Sequence, residues 1–184
     1  MNLKRSMQQW ALLALAVAAS AGAAYAKPPS TVQHVDLQRY VGTWYEVARF
    51  PMFFQRKCAR DVTATYSLNA DGTVKVDNRC IKSNGDTMQA DGQATVVDAS
   101  NSKLEVTFLP EFLRWLPFGQ GDYWILKLDA KYQTALVGSP DREYLWILSR
   151  NPQISQQTYL DYVEAARSQG YDINQLVRTQ QTAR

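Results

Sequence analysis

Val62-Thr63-Ala64-Thr65-Tyr66-Ser67-Leu68, Asn69-Ala70-Asp71-Gly72, Val74-Lys75-Val76-Asp77-Asn78-Arg79-Cys80-Ile81: two runs rich in β-branched and aromatic residues flank a cluster of turn formers. Side chains alternate across a strand, and an Asp-Gly pair supplies the backbone freedom of a tight reversal, so this stretch reads as a β-hairpin. The same grammar extends outward in both directions. Thr43 to Phe50 precedes it, and the turn Ser83-Asn84-Gly85-Asp86 leads to Met88 to Val97. After Ser100-Asn101-Ser102 come Leu104 to Leu109 and Tyr123 to Leu128, then Thr134 to Val137 past a turn at Asp129, then Tyr144 to Ser149 past Pro140-Asp141. Eight strands in this order, mostly joined by short connections, pair with their sequence neighbours as a meander. Such a meander removes its exposed edges by closing on itself, and eight strands enclose room for one small ligand. The expected fold is all-β, an eight-stranded antiparallel up-and-down β-barrel. A sandwich, or a barrel filled by its own side chains, stays open at this point.

Beyond Pro152 the period changes. Ser155 is a good N-cap, Tyr159, Tyr162, Val163 and Ala166 recur at helical spacing, and Gly170 is a stop signal, so one amphipathic C-terminal α-helix packs outside the barrel. Tyr171 to Val177 reads as a short final strand or an extended tail on the wall. At the other end, residues 1–26 read as a cleaved secretory signal peptide: Lys4 and Arg5, an apolar run from Trp10 to Ala19, then Ala24-Tyr25-Ala26. Cleavage after Ala26 leaves residues 27–184 as a single ligand-binding domain, exported and soluble. With Lys4 and Arg5 gone and no acid lost, the formal charge falls from +3 to +1.

Composition excludes several functions. The chain is 46% hydrophobic and carries five Trp, ten Tyr and six Phe, but it has one histidine, His34, and two cysteines. That supply cannot build a His-rich or Cys-rich metal centre, so no metal and no cofactor is expected. Arg49, Arg56, Lys57 and Arg60 form a local cluster, read as a solvated loop, with no basic stripe to follow a nucleic acid. In an exported protein Cys58 and Cys80 form a disulfide, closing a loop of about 22 residues for roughly 3 kcal/mol. A nucleophilic cysteine served by His34 is the alternative use.

Gly42-Thr43-Trp44 opens the first strand, which continues Tyr45-Glu46-Val47-Ala48-Arg49-Phe50. Leu128-Asp129 with Tyr132, followed by Ala135-Leu136-Val137, lies between the sixth and seventh strands, and Arg150 follows the eighth in Trp146-Ile147-Leu148-Ser149-Arg150-Asn151-Pro152. With these three elements in order the sequence resembles the lipocalins, in particular the bacterial lipocalins and apolipoprotein D. It departs from the family at Leu128, where a Thr is usual. The resemblance implies a barrel whose closed end joins the first strand to the chain leaving the eighth, with Arg150 stacked on Trp44 for about 1 to 2 kcal/mol. Gly42, Trp44, Asp129 and Arg150 are then structural. It also implies a place in the periplasm, beside the outer membrane. No N-terminal lipid is expected, since the first cysteine is Cys58.

With Trp44 pointing inward, strict alternation puts Glu46, Ala48 and Phe50 inside and Tyr45, Val47 and Arg49 outside. Counting back from Arg150 gives Leu148, Trp146 and Tyr144 as inner residues. A bulge at any point would exchange the two sets. Pro51-Met52-Phe53-Phe54 and the segment from Phe112 to Phe118, which includes Trp115, are unusually apolar connections at the open end. They read as a lid, a membrane dock or a contact between two copies. The candidate ligand contacts are Glu46, Ala48, Phe50, Phe53, Trp115, Tyr144 and Trp146. An apolar aromatic lining suits a fatty acid, lysophospholipid or similar lipophile, so the expected function is carriage and not catalysis. The rivals are a stress or structural protein acting on the envelope membrane through its rim, and a lipocalin-like enzyme.

Overall fold

Strand alternation and turn chemistry act together in the computed structural model, which describes residues 27–114, 116 and 118–182. The signal segment 1–26 and Trp115 lie outside the described residues. The strands are β1 (Gly42–Arg49), β2 (Cys58–Leu68), β3 (Val74–Lys82), β4 (Thr87–Val96), β5 (Lys103–Thr107), β6 (Gln120–Leu128), β7 (Thr134–Gly138) and β8 (Leu145–Ser149), with a two-residue β9 (Val177–Arg178). From β1 to β8 each strand pairs antiparallel with its sequence neighbour, β1 also pairs with β8, which closes the sheet into a barrel, and β9 pairs with β1. The hairpin that opened the sequence reading is in register from Thr63 opposite Arg79 to Leu68 opposite Val74. Its turn uses Gly72 at φ +84° and an Asp71 carboxylate that accepts the Thr73 N–H at 2.9 Å.

Two α-helices complete the fold of the described residues. The short α1 (Leu37–Tyr40) is capped by Asp36, whose carboxylate accepts from the Gln38 N–H at 2.9 Å. The longer α2 (Gln156–Ser168) starts where Ser155 Oγ accepts the Thr158 N–H at 3.0 Å, and Gly170 follows it at φ +85°. Buried side chains form one core inside the barrel, around Trp44, Tyr66, Val76, Leu104 and Val137. A second lies between the barrel wall and α2, around Phe50, Leu136, Ile147, Tyr162 and Tyr171. Tyr162 and Tyr171 also donate from their hydroxyls to the Thr134 and Ser139 carbonyls, at 2.7 and 2.8 Å, which pins the helix and its exit to β7.

The structure corrects the expected first strand. Glu46 faces Leu148 while Ala48 faces Ile147, so β1 carries one extra residue between those pairs. A bulge of one residue reverses the alternation beyond it. Ala48 and Phe50 are consequently fully buried outside the barrel, in the layer under α2, and do not reach the interior. The segment before β1 is also more than a lead. Val32 N–H bonds the Ile125 carbonyl at 3.0 Å and Val35 N–H the Ser100 carbonyl at 2.9 Å, and with α1 this segment crosses one end of the barrel.

Candidate functional site

The closed end is built on one arginine. Arg150 lies 3.9 Å over the Trp44 ring and donates to the backbone carbonyls of Arg39, Tyr40, Val41 and Thr43 at 2.8 to 2.9 Å. Three of these carbonyls, those of Arg39, Tyr40 and Val41, are the last acceptors that α1 leaves without helical partners where it ends, and the fourth, that of Thr43, comes from the start of β1. Trp44 is wholly buried, donates its indole N–H to the Tyr40 carbonyl at 2.8 Å and packs on the Tyr40 ring at 4.9 Å. Gly42 is required at the same point: its φ is +98°, and a Cβ there would meet Arg150 Nη1 at 3.1 Å. Asp129 holds the neighbouring turn by accepting backbone N–H groups from Lys131, Gln133 and Thr134 at 2.9, 2.7 and 2.5 Å. Leu128 in place of Thr leaves these three bonds to Asp129 in place.

Above this floor lies a cavity of about 620 Å³. Its wall is mostly apolar, with Ala64, Val76, Leu104, Val106 and Leu148 among its side chains. Tyr144 and Trp146 stack at 6.1 Å along it, and Phe54 continues the aromatic row from Tyr144 at 5.8 Å toward the open end. Phe53 lines the same opening and is 76% exposed. Of the candidate contacts, Glu46, Phe53, Tyr144 and Trp146 therefore meet around one cavity, Ala48 and Phe50 do not, and Trp115 is undescribed. Cys58 and Cys80 are bridged with Cα atoms 5.5 Å apart, which ties the start of β2 to the end of β3 beside the opening. A bridged cysteine is no nucleophile, so the alternative with His34 falls.

Among the described residues Glu46 is the one buried carboxylate of the wall. It accepts from Gln55 Nε2 at 2.5 Å and from Thr179 Oγ1, and lies 3.3 Å from Arg49 Nε. Burial raises its pKa above the ordinary value near 4.5, and the bonds from Thr179 and Gln55 and the charge of Arg49 only partly oppose this. The C-terminal segment helps to hold it: Thr179 N–H bonds the Val47 carbonyl at 2.9 Å, and the Gln181 amide bridges the Glu46 and Val62 carbonyls at 2.8 and 2.9 Å, closing the seam where β1 and β2 diverge. Sequence reading set a short final strand or tail on the wall as far as Val177, but missed the bonds of Thr179 and Gln181 because their partners are more than a hundred residues away. It also missed Tyr40, Tyr66, Tyr123 and Asn78 in the cavity wall. A signal for Asn78 was there, since it interrupts an inward series of Val74, Val76 and Cys80 with a polar side chain.

A closed barrel with a plugged floor and one apolar chamber defines a container for small molecules. The chain belongs to the lipocalin-like family, whose Lipocalin-like domain matches residues 35–181 and whose members bind small hydrophobic ligands. It is 45% identical over 159 residues to temperature-induced lipocalin-1 of Arabidopsis thaliana, covering 85% of this chain and 84% of that one. It is 39% identical over 154 residues to the outer membrane lipoprotein Blc of Escherichia coli K12, covering 83% and 82%. With apolipoprotein D of Mus musculus the identity is 31%, covering 83% and 80%. The fold matches insecticyanin of the tobacco hornworm Manduca sexta with a TM-score of 0.65 at 18% identity, covering 84% of this chain and 85% of that one.

Proposed function

We propose that the chain is an exported lipid carrier that holds a fatty acid, lysophospholipid or similar amphiphile with its tail in the barrel. The observation that carries this reading is the cavity: about 620 Å³, walled by apolar side chains and sealed at one end by Trp44 and Arg150. That volume falls in the range of small-molecule sites, and an apolar wall rewards a tail more than a sugar or nucleotide. The head group stays at the opening, near Glu46, Tyr144, Gln120 and Asp122. Export to the periplasm is supported by the signal-like residues 1–26, and an outer membrane lipoprotein is among the relatives. Among the described residues no helix is long and apolar enough to cross a membrane.

The test is a titration of delipidated mature protein with long-chain fatty acids and lysophospholipids, followed through tryptophan fluorescence because Trp146 lines the cavity. Saturable binding of one ligand per chain is expected. Absence of any response to both classes would overturn the reading. A second reading, an envelope protein that works by touching a membrane through its rim, is favoured by the exposure of Phe53, Phe112 and Phe118 at 76, 73 and 62%. It needs no bound lipid, so vesicle association without ligand uptake would select it.

A further inference from the structure

The barrel wall has a seam that its own strands do not close. β1 and β2 pair only from Gly42 opposite Tyr66 to Tyr45 opposite Thr63. Continuing that register would bring Glu46 opposite Val62, but toward the open end the two strands part. β1 takes its bulge between Glu46 and Ala48, and β2 pairs irregularly with β3 from Cys58 to Thr63, with Asp61 at φ +53°. Bulges bend a strand and leave backbone groups without ladder partners. Glu46 on one side of the gap and Cys58 and Val62 on the other all line the chamber.

Residues 177–182 fill that gap. β9 pairs with β1 at Ala48 and Arg49, and the Gln181 amide donates to the Glu46 and Val62 carbonyls at 2.8 and 2.9 Å, so a side chain spans what the ladder leaves open. Toward β2, Asp61 N–H bonds the Gln180 carbonyl at 2.9 Å, and the Asp61 carboxylate accepts from the Thr182 N–H and Oγ1 at 2.6 and 2.8 Å. The hold is polar and shallow. No side chain from 177 to 182 is buried, Arg178 lies 4.0 Å over the Tyr159 ring of α2, and Thr179 and Gln181 border a hollow of about 220 Å³. A segment held without buried apolar contacts opens at a fraction of the free energy that unfolds the domain.

Glu46 ties this segment to the lid. One carboxylate oxygen accepts from Thr179 Oγ1 and the other from Gln55 Nε2, at the end of the single turn Phe53–Gln55 that carries two phenylalanines of the rim. We propose that residues 177–182 are a releasable strap over a slot in the barrel wall, and that lipid enters and leaves through this slot when strap and lid let go of Glu46. A tail entering end-on must thread past the rim phenylalanines, whereas a slot running down from the opening admits it along its length. This rests on the carrier reading and adds the route that the cargo takes.

The experiment locks or loosens the strap in the full mature chain and measures palmitic acid association and dissociation by stopped-flow tryptophan fluorescence. Ala48 and Arg178 face each other, and the bond from Thr179 N–H to the Val47 carbonyl makes theirs a non-hydrogen-bonded pair. Cα atoms of such pairs lie about 4.5 Å apart, within disulfide reach. The oxidised double variant Ala48→Cys, Arg178→Cys is therefore the lock, with peptide mapping to confirm that Cys58 still bridges Cys80. A gate alters the barrier and not the end states, so the lock is expected to slow both rates severalfold by the same factor, with Kd unchanged. Thr179→Ala with Gln181→Ala removes three side-chain bonds of the strap and is expected to raise both rates. Should the lock fail to fold, this second variant decides. Saturable palmitic acid binding at wild-type rates in the variants overturns the slot and leaves the carrier standing, as does a change in dissociation alone. Absence of palmitic acid binding in the wild type overturns both.

Discussion

Arg150 does at one point what a hydrophobic plug cannot. It covers the Trp44 ring at 3.9 Å and satisfies carbonyls that α1 leaves open, so it joins cation–π attraction to hydrogen bonding. Arg150→Ala is expected to lower stability by about 2 to 4 kcal/mol, since the carbonyls lose a charged donor and Trp44 loses its cover. Arg150→Lys should recover less than half of that, because an ammonium cannot cover a ring and fork to several carbonyls at once. Urea denaturation of both variants checks this, and full rescue by lysine would overturn it. Glu46 gives a second test at the same scale. Its folded pKa lies above its unfolded one, so the folded chain holds the proton to higher pH. Its stability contribution is complete below the unfolded value and is lost as pH rises through the folded one. Wild type should therefore lose more stability than Glu46→Gln as pH rises from the ordinary value near 4.5, and the difference between the two isolates this carboxyl from the other acids. Equal pH profiles would count against the burial of its charge.

Elements show why reading the sequence went right in some places and failed in others. Turns such as Asn69 to Gly72 and caps such as Ser155 are local physics, so α2 and most strand ends were legible to within a residue or two, while β2 starts four residues and β6 three residues before the reading placed them. The bulge in β1 is not local: whether the extra residue sits between Glu46 and Ala48 depends on β8 across the ladder, and the inward places given to Ala48 and Phe50 failed for that reason. On β8, which has no such break, Tyr144, Trp146 and Leu148 do face the chamber. The disulfide was legible as a pairing because the export expected from residues 1–26 would leave two cysteines few other uses. It links residues 22 apart, so its reduction, or the double variant Cys58→Ala, Cys80→Ala, is expected to lower stability by about 3 kcal/mol. Thiol titration under denaturing conditions should find no free thiol before reduction. In the layer under α2, Gly138 lies so close to Tyr171 that a Cβ would sit 2.4 Å from its hydroxyl. Gly138→Ala should destabilise by about 1 to 3 kcal/mol. Tyr171→Phe should cost about 1 kcal/mol through its lost bond to the Ser139 carbonyl. In combination the two should cost less than their sum, because the second removes the atom that the first strikes.

At the scale of the molecule the two ends of the barrel are opposites: one is plugged by Trp44, Arg150 and α1, and the other is rimmed by phenylalanines. Large apolar side chains in water are disfavoured unless something covers them at some stage of function. Phe53 and Phe54 reach the cavity lining, which gives them a share in the lid, whereas Phe112 and Phe118 are absent from that lining and are 73 and 62% exposed. These two rings lie on the connection between β5 and β6, whose flanking residues Phe108 and Gly119 line the cavity. If the rim docks on a bilayer to collect or release cargo, Phe112→Ser with Phe118→Ser should weaken association with phospholipid vesicles by about tenfold for each ring. Fatty acid affinity in free solution should stay unchanged, because neither side chain belongs to the chamber. Cosedimentation with vesicles measures the first quantity and tryptophan fluorescence the second. A contact between copies predicts something else: vesicle binding would be unaltered while the sedimentation coefficient of the wild type falls to that of the variant on dilution. Loss of ligand affinity together with vesicle binding would instead make both rings part of the lid and remove the case for a separate docking surface.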